Sequence, residues 1–161
     1  MTSFVALLRG INVGGKRMLP MKDLAALFTK AGATNVRTYI QSGNVVFDAK
    51  AAPSIVERVQ SAIEKTFGFD VPMVVRTGEA LQAVVASSPF DDVEHVHVVF
   101  LGDSSAAAQV KALDPNRSPG DRFVVRGSDV FLHLPNGVAR TKLSNAWFDS
   151  QLKTVSTVRN W

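Results

Sequence analysis

The chain has 161 residues, of which 46% are hydrophobic, and it contains no cysteine. This length is enough for one ordinary domain or two small halves that share a core, and the absence of cysteine excludes disulfides, thiolate metal sites and cysteine nucleophiles. The formal net charge is +4, and residues 1–80 carry all of it, because they hold 10 Lys and Arg against 6 Asp and Glu. Such a surplus indicates an anionic partner near the N-terminal half or serves solubility alone.

The N-terminal apolar run covers only residues 4–8. It is shorter than the ~7–15 residues of a signal peptide's apolar region and the ~20 residues of a membrane span. We therefore predict a buried strand here, and a cytoplasmic protein with no membrane partner. A reducing compartment also fits the cysteine-free composition.

Residues 1–76 predict the element order strand, helix, strand, strand, helix, strand. The first helix begins at Pro20, carries apolar residues at i, i+3, i+4 and i+7, and stops at Gly32. Ser54 and Glu57 form a capping-box pattern at the start of the second helix. The predicted strands are residues 3–9, 35–40, 44–47 and 71–76.

The rest of the chain predicts the same order after a linking helix. That helix begins near Thr77 and is predicted to turn Leu81, Val84 and Val85 inward. The later strands are predicted at 96–101, 123–126, 130–134 and 155–159, and the later helices at 106–113 and 143–152.

Two short echoes support an internal duplication, namely residues 8–10 against 100–102 and residues 75–77 against 158–160. We predict an α+β fold, a tandem duplication of a ferredoxin-like βαββαβ unit with two four-stranded antiparallel sheets. Because both opening strands are apolar on both faces, the two sheets are expected to pack face to face or to join edge to edge. The predicted domains are 1–76, a linking helix and loop at 77–95, and 96–161, in one compact unit.

Residues 10–16 fit the phosphate-loop template G-x-x-x-x-G-K, but Arg17 replaces the Ser or Thr that would hold magnesium. We reject a nucleotide triphosphatase, because that class needs a parallel sheet and a helix that starts at once. The glycines still permit backbone N–H groups to converge on an anion beside Lys16 and Arg17. The alternative is a tight connection with solvated cations.

Three segments resemble the signature stretches of the family known as domain of unknown function 1697: ALLRGINVGGK at 6–16, TYIQSGNVVF at 38–47 and LSNA at 143–146. The final RNW at 159–161 is similar to its C-terminal motif. The resemblance spans essentially the whole chain and implies a tandem ferredoxin-like architecture with no established activity. Family members continue with a short Asn-Thr-Val-like tail, so we expect that either this chain is shortened after Trp161 or any role of that tail is lost, together with a site built partly from it.

Polar amides and cations are predicted on the connecting loops of both halves. They suit recognition of phosphate or carboxylate, and hydrogen bonding to base or sugar edges. The same residue types also cap helices and satisfy turns. The candidate ligand-binding residues are Arg9, Asn12, Gly14, Gly15, Lys16, Gln41, Asn44, Arg140, Lys142, Asn145 and Arg159.

The three histidines are weaker candidates. His97 and His133 are predicted on adjacent strands and on one sheet face, with His95 just before the strand, which permits a two-histidine metal site. No third ligand stands at a motif spacing, so we predict structural or solvent-facing histidines, no metal and no cofactor. The acidic run at 91–94 is predicted to be a solvated loop.

These observations leave three functions open. The first is a small binding protein for a phosphorylated or nucleic-acid-like anionic ligand, held at the rim of the candidate residues. The second is an enzyme that acts on an anionic metabolite, with Arg9, Lys16 or Arg140 stabilising charge. The third is a structural or partner-binding module. Binding in the manner of an RNA-recognition motif is disfavoured, because residues 44–47 lack the aromatic spacing of that module. The oligomeric state is left open.

Overall fold

The computed structural model describes residues 1–12, 15–39, 43–102 and 107–160. The chain forms two units, Met1–Gln82 and Ala83–Trp161, which are called here the first and the second unit. The predicted boundaries at residues 76 and 96 remain a prediction. No helix in the described part of the chain is long and apolar enough to cross a membrane.

The first unit is a four-stranded antiparallel sheet with two helices on one face. The strands pair in the order β2-β3-β1-β4. In chain order the elements are β1 (Thr2–Leu8), α1 (Met21–Lys30), β2 (Thr34–Tyr39), β3 (Asn44–Ala49), α2 (Ala52–Phe67) and β4 (Met73–Thr77). A further helix, α3 (Gly78–Ala86), leads into the second unit.

The second unit has the same topology, with strand order β6-β7-β5-β8. Its elements are β5 (Val96–Leu101), α4 (Ala107–Lys111), β6 (Arg122–Arg126), β7 (Asp129–His133), α5 (Asn145–Leu152) and β8 (Ser156–Asn160). Two 3₁₀ turns, Val93–His95 and Val138–Arg140, precede β5 and α5. The predicted fold class, α+β with two four-stranded antiparallel sheets, is confirmed.

Each unit buries a core between its helices and one face of its sheet. In the first unit Phe28 of α1 packs against Phe47 of β3, with ring centroids 5.1 Å apart. Val5 and Leu7, whose side chains lie on the opposite face of β1, are also buried. The prediction that β1 is covered on both faces is therefore confirmed. The expected packing of one sheet on the other remains a prediction.

The core of the second unit is centred on α5. Phe148 is completely buried, and its ring meets that of Phe123 on β6 edge to face, at 5.9 Å between centroids. The Ser144 hydroxyl caps α5 by accepting the N–H of Trp147, which is the usual way to satisfy a free N–H in a first turn. The other buried residues of this core are Val99, Leu101, Leu113, Val130, Leu132, Leu134, Leu143 and Leu152.

The start of α2 differs from the prediction. The helix begins at Ala52, and Ser54 lies inside its first turn, so the predicted capping box is wrong. The physical reason is Pro53, whose fixed φ suits the first helical turn and lets the helix begin before the serine.

One side-chain prediction on α3 and the predicted end of α4 also fail. Val84 is buried but Val85 is 62% exposed, because consecutive helical residues point about 100° apart. Leu113 is buried as predicted, yet α4 ends at Lys111. Pro115 contributes to that early end, since a proline disfavours helical geometry in the residue before it. Ala106, also assigned to this helix, lies outside the described residues.

Equivalent hydrogen bonds align the two units position by position. The N–H of Leu8 donates to Gly43 O at 2.9 Å, and the N–H of Leu101 donates to Ser128 O at 2.8 Å, in each case just before the third strand. Leu8 therefore corresponds to Leu101, and the predicted echo that set residue 9 against residue 101 is wrong by one residue.

The second echo has the predicted alignment. Arg76 pairs with Val5, and Arg159 pairs with Val98. Since residues 8 and 101 are equivalent, Val5 corresponds to Val98, and the two arginines occupy equivalent positions. Each arginine also donates from Nη1 to the carbonyl of the preceding valine, at 3.1 Å for Arg76 and 2.9 Å for Arg159.

Candidate functional site

The loop that follows β1 lies at one end of the first sheet, between β3 and β4. Leu8 N–H donates to Gly43 O at 2.9 Å, and Arg9 N–H donates to Pro72 O at 3.0 Å. The two bonds attach the start of the loop to the residues that precede β3 and β4. We call residues 9–19 the glycine loop.

The glycine loop is closed by Asn12. Its side-chain amide donates to Leu19 O at 2.9 Å, and its Oδ1 accepts the N–H of Leu19 at 2.7 Å. Asn12 N–H donates to Arg17 O at 3.1 Å. Ile11 and Leu19 are buried on either side, so the base of the loop is fixed in the core.

The loop turns through several left-handed backbone positions. Gly10 has φ 74°, Asn12 54°, Gly15 72° and Arg17 51°. Asn tolerates this region better than most residues, which favours the amide at position 12. Gly14, a predicted ligand residue, lies outside the described residues, so the expected convergence of the glycine N–H groups remains a prediction.

Cationic side chains extend from this loop into solvent. Lys16 and Arg17 are exposed and Arg9 is half-buried. Arg17 lies over the ring of Phe69, at 5.7 Å from its centroid, which restricts where its guanidinium can go. Lys16 and Arg17 form no ion pair with any residue that the structure describes, and residues 9–22 contain no Asp or Glu.

The β2–β3 hairpin touches the glycine loop directly. A Cβ at Gly43 would lie 2.8 Å from both Ile11 Cδ1 and Leu8 Cβ, so only glycine fits where the two segments meet. Asn44 donates from Nδ2 to Tyr39 O at 3.0 Å and closes the hairpin end. Gln41 lies outside the described residues. The sequence carried no signal for this contact, because the partners are more than 30 residues apart.

The remaining predicted residues belong to the second unit. Arg140 and Lys142 are exposed. Asn145 lies at the start of α5, with its Oδ1 3.3 Å from the hydroxyl of Ser156 on β8. Arg159 donates to Thr157 Oγ1 at 2.7 Å, and burial lowers the pKa of its guanidinium. These bonds connect both side chains to residues of β8. That Asn145 and Arg159 bind a ligand, on one rim that includes both units, remains a prediction.

The histidines are arranged differently from the prediction. Val96 pairs with His133, and His97 pairs with Leu132. Because directly opposed residues share a sheet face, His97 and His133 lie on opposite faces, and the predicted shared face is wrong. His97 Nδ1 is buried without a hydrogen-bond partner among the described residues, and burial lowers the pKa of this ring.

Sequence reasoning missed a cluster around Asp92. Its Oδ2 lies 2.7 Å from His95 Nδ1 and 3.2 Å from His133 Nε2. Phe90 packs on His133 at 5.4 Å between centroids. The acidic run is exposed as predicted, but Asp92 binds two histidines, and these bonds hold its pKa below the ordinary value. The Asp-x-x-His spacing of residues 92 and 95 was the only signal in the sequence.

A third polar cluster lies at the other end of the first sheet. Asp48 accepts hydrogen bonds from Ser3 Oγ at 2.6 Å and from Asn35 Nδ2 at 2.8 Å, and these bonds lower its pKa. A surface depression of ≈ 330 Å³ is lined there by Asn35, Val36, Arg37 and Asp48. None of the predicted ligand residues lines it. No group of three or more metal-ligating side chains in the described ranges is arranged to hold a metal ion.

Comparisons with known proteins give a family and a fold. The structure of the conserved bacterial protein SP0830 from Streptococcus pneumoniae is similar to this chain, with a TM-score of 0.67 and 24% sequence identity. The match covers 99% of this chain and 92% of that one, and at this identity it shows the fold alone. No curated protein matches. The family described as "Protein of unknown function (DUF1697)" matches residues 1–131. The chain belongs to this DUF1697 family.

Proposed function

We propose that the glycine loop binds the phosphoryl group of a phosphorylated ligand. The observation that carries this proposal is the pair Lys16 and Arg17, both exposed, on a loop whose base is fixed by Asn12. Neither forms an ion pair with a residue in the described ranges. Holding two cations on a fixed loop reduces the entropy lost when an anion binds.

The two cations have complementary roles in this proposal. Arg17 presents a planar guanidinium restrained by Phe69, which suits a bidentate contact with two phosphate oxygens. Lys16 supplies a mobile point charge. Among the described residues, apart from its chain neighbours, no atom lies within 4 Å of the Cβ position of Gly15, which leaves room for close approach of a ligand to the backbone.

We also propose a cytoplasmic location and an internal duplication. The cysteine-free sequence supports the first, since it fits a reducing compartment. The identical strand orders and the equivalent bonds of Leu8 and Leu101 support the second.

The test of ligand binding is a titration of backbone amide chemical shifts at low salt with inorganic phosphate, ribose 5-phosphate and adenosine monophosphate. We expect saturable shifts confined to residues 9–19. Lys16→Ala and Arg17→Ala should each weaken binding about tenfold, the size of one charge-assisted hydrogen bond. Lys50→Ala is the matched control, because Lys50 is exposed at the opposite end of the sheet.

Absence of saturation by millimolar ligand would overturn the proposal. An equal loss of affinity in Lys50→Ala would do the same, because it would indicate general charge attraction.

A further inference from the structure

Two loops of the second unit meet at a buried serine. Ser118 is 5% exposed, and its hydroxyl donates to Asp121 Oδ2 at 2.7 Å. Ser118 Oγ also accepts the N–H of Lys142 at 3.1 Å and lies 3.4 Å from Thr141 Oγ1. Residues 114–121 are thereby joined to residues 138–142, through a serine and a lysine that are 24 positions apart in the chain.

This junction brings together two segments that carry three exposed cations. Arg117 directly precedes Ser118, about 3.8 Å away along the backbone, and Lys142 is bonded to that serine. Arg140 lies two residues before Lys142. Arg117, Arg140 and Lys142 are all exposed, and none forms an ion pair within the part of the chain that the structure describes. We call these three residues the Ser118 surface.

The acidic residues of these loops bind the loops themselves. Asp121 Oδ2 accepts the Ser118 hydroxyl, and its Oδ1 is buried without a hydrogen-bond partner among the described residues. Asp114 Oδ1 accepts the N–H of Asn116 at 2.9 Å. The carboxylates therefore stabilise the turns, while the cations face solvent.

One of the cations lies over an aromatic ring. The Arg117 guanidinium lies over Trp147 at 5.6 Å from the ring centroid. Phe123 and Phe148 contact Trp147 edge to face, at 6.0 Å and 4.9 Å between centroids. This contact restricts where the exposed Arg117 guanidinium can go, and a guanidinium plane is a surface on which nucleobases stack.

We propose that the Ser118 surface binds single-stranded nucleic acid. One base stacks on Arg117, and Arg140 and Lys142 contact phosphates of the flanking nucleotides. A stacking plane beside separate cations suits a polymer that offers bases and phosphates together. An acidic peptide offers no base, and a duplex keeps its bases stacked on one another. This inference is independent of the glycine loop.

The test is fluorescence anisotropy of a labelled 12-nucleotide oligouridylate with the full chain, between 50 and 200 mM salt. With Arg140 and Lys142 as the two phosphate-contacting cations, the slope of log affinity against log salt should be about −1.4, and Arg140→Ala or Lys142→Ala should each reduce its magnitude by about 0.7. Arg117→Lys should keep the slope and lose at least about fivefold in affinity, because a lysine supplies charge without a stacking plane.

Three comparisons make the result decisive. Lys50→Ala should bind as the wild type does, because Lys50 is exposed in the first unit and belongs to neither proposed site. A paired duplex and polyglutamate should compete weakly. The inference is overturned if either competes as well as the single strand. It is also overturned if the Arg117→Ala, Arg140→Ala, Lys142→Ala triple variant, with unchanged Tm, binds as the wild type does.

Discussion

Asn12 and Leu19 are joined by a pair of hydrogen bonds in which one side-chain amide binds both polar groups of one backbone residue. The amide pairs with the backbone of Leu19 as the backbone of a neighbouring strand would. It thereby closes the glycine-rich segment into a loop. Leu19 has no exposed surface, so its N–H and carbonyl have little access to water and depend on this partner.

Asn12→Ala should lower the free energy of unfolding by about 2–4 kcal/mol, because it leaves two buried backbone groups without their partner. Urea denaturation measures the change. Asn12→Gly is the matched control, since glycine accepts the left-handed φ of 54° but has no amide. If Asn12→Gly proves as stable as the wild type, the hydrogen bonds are not what stabilises the loop.

Gly43→Ala should lower the free energy of unfolding more than most other substitutions that add one methyl group to the first unit. The added Cβ would lie 2.8 Å from two side-chain carbons, and φ is +90°. We expect the free energy of unfolding to fall by about 2–5 kcal/mol. This is the sum of the cost of overpacking and the cost of an alanine with left-handed backbone geometry. Gly68→Ala, with φ +80° and open space, should lose only the about 1–2 kcal/mol of the backbone cost. Equal losses in thermal or urea unfolding would contradict the close packing of hairpin and loop.

Asp92 should make the free energy of unfolding depend on pH in the acid range. Its folded pKa is lowered by the hydrogen bonds from His95 and His133. The unfolded chain therefore binds the proton more readily than the folded one. The stabilisation is present above the ordinary pKa of about 3.9 and is lost as pH falls through the lower folded pKa.

Asp92→Asn should accordingly be less stable than the wild type at pH 5 to 6, and the difference should shrink as the pH falls below about 4. Urea unfolding at a series of pH values measures it. Asp91→Asn changes the neighbouring exposed carboxylate and should show no such trend. A difference that stays constant with pH would mean that the bond to the two histidines is not charge-assisted.

Ser118→Ala should destabilise the second unit by about 1–3 kcal/mol, because Lys142 N–H loses its acceptor and Asp121 Oδ2 loses its donor. Ser87→Ala is the matched control: Ser87 is exposed, and such changes cost within about 0.5 kcal/mol. Amide hydrogen exchange at residues 138–142 should also accelerate in Ser118→Ala. Unchanged exchange there would show that the two loops do not depend on this serine.

Local patterns in the sequence were sufficient to predict the helices and strands. The 3.6-residue spacing of Leu24 and Phe28 predicted the buried face of α1, and both residues are fully buried. Residues 96–101 were predicted as a strand with the bounds that the structure has. Such patterns succeed because helix and strand periods are properties of neighbouring residues.

The register in which neighbouring strands pair could not be predicted in the same way. His97 was assigned to the face of His133 and lies on the other face, because a strand reverses its faces at every residue and no local signal in β5 specifies its partner on β7. The predicted echo was one residue off for the same reason. The equivalence of Leu8 and Leu101 follows from strand pairing, which the local sequence does not specify.

The candidate sites show the same distinction between features set by the local sequence and contacts set by strand pairing. The element order, the antiparallel class and the cations of the loops could be predicted from the amino-acid sequence, since they follow from local periodicity and residue type. Four contacts became visible only in the folded chain: Asn12 binds Leu19, Gly43 contacts Ile11, Asp92 binds two histidines, and Ser118 joins the segments of Arg117 and Lys142. Most of these contacts join segments far apart in the chain, so they depend on how the strands pair and not on the residues beside them.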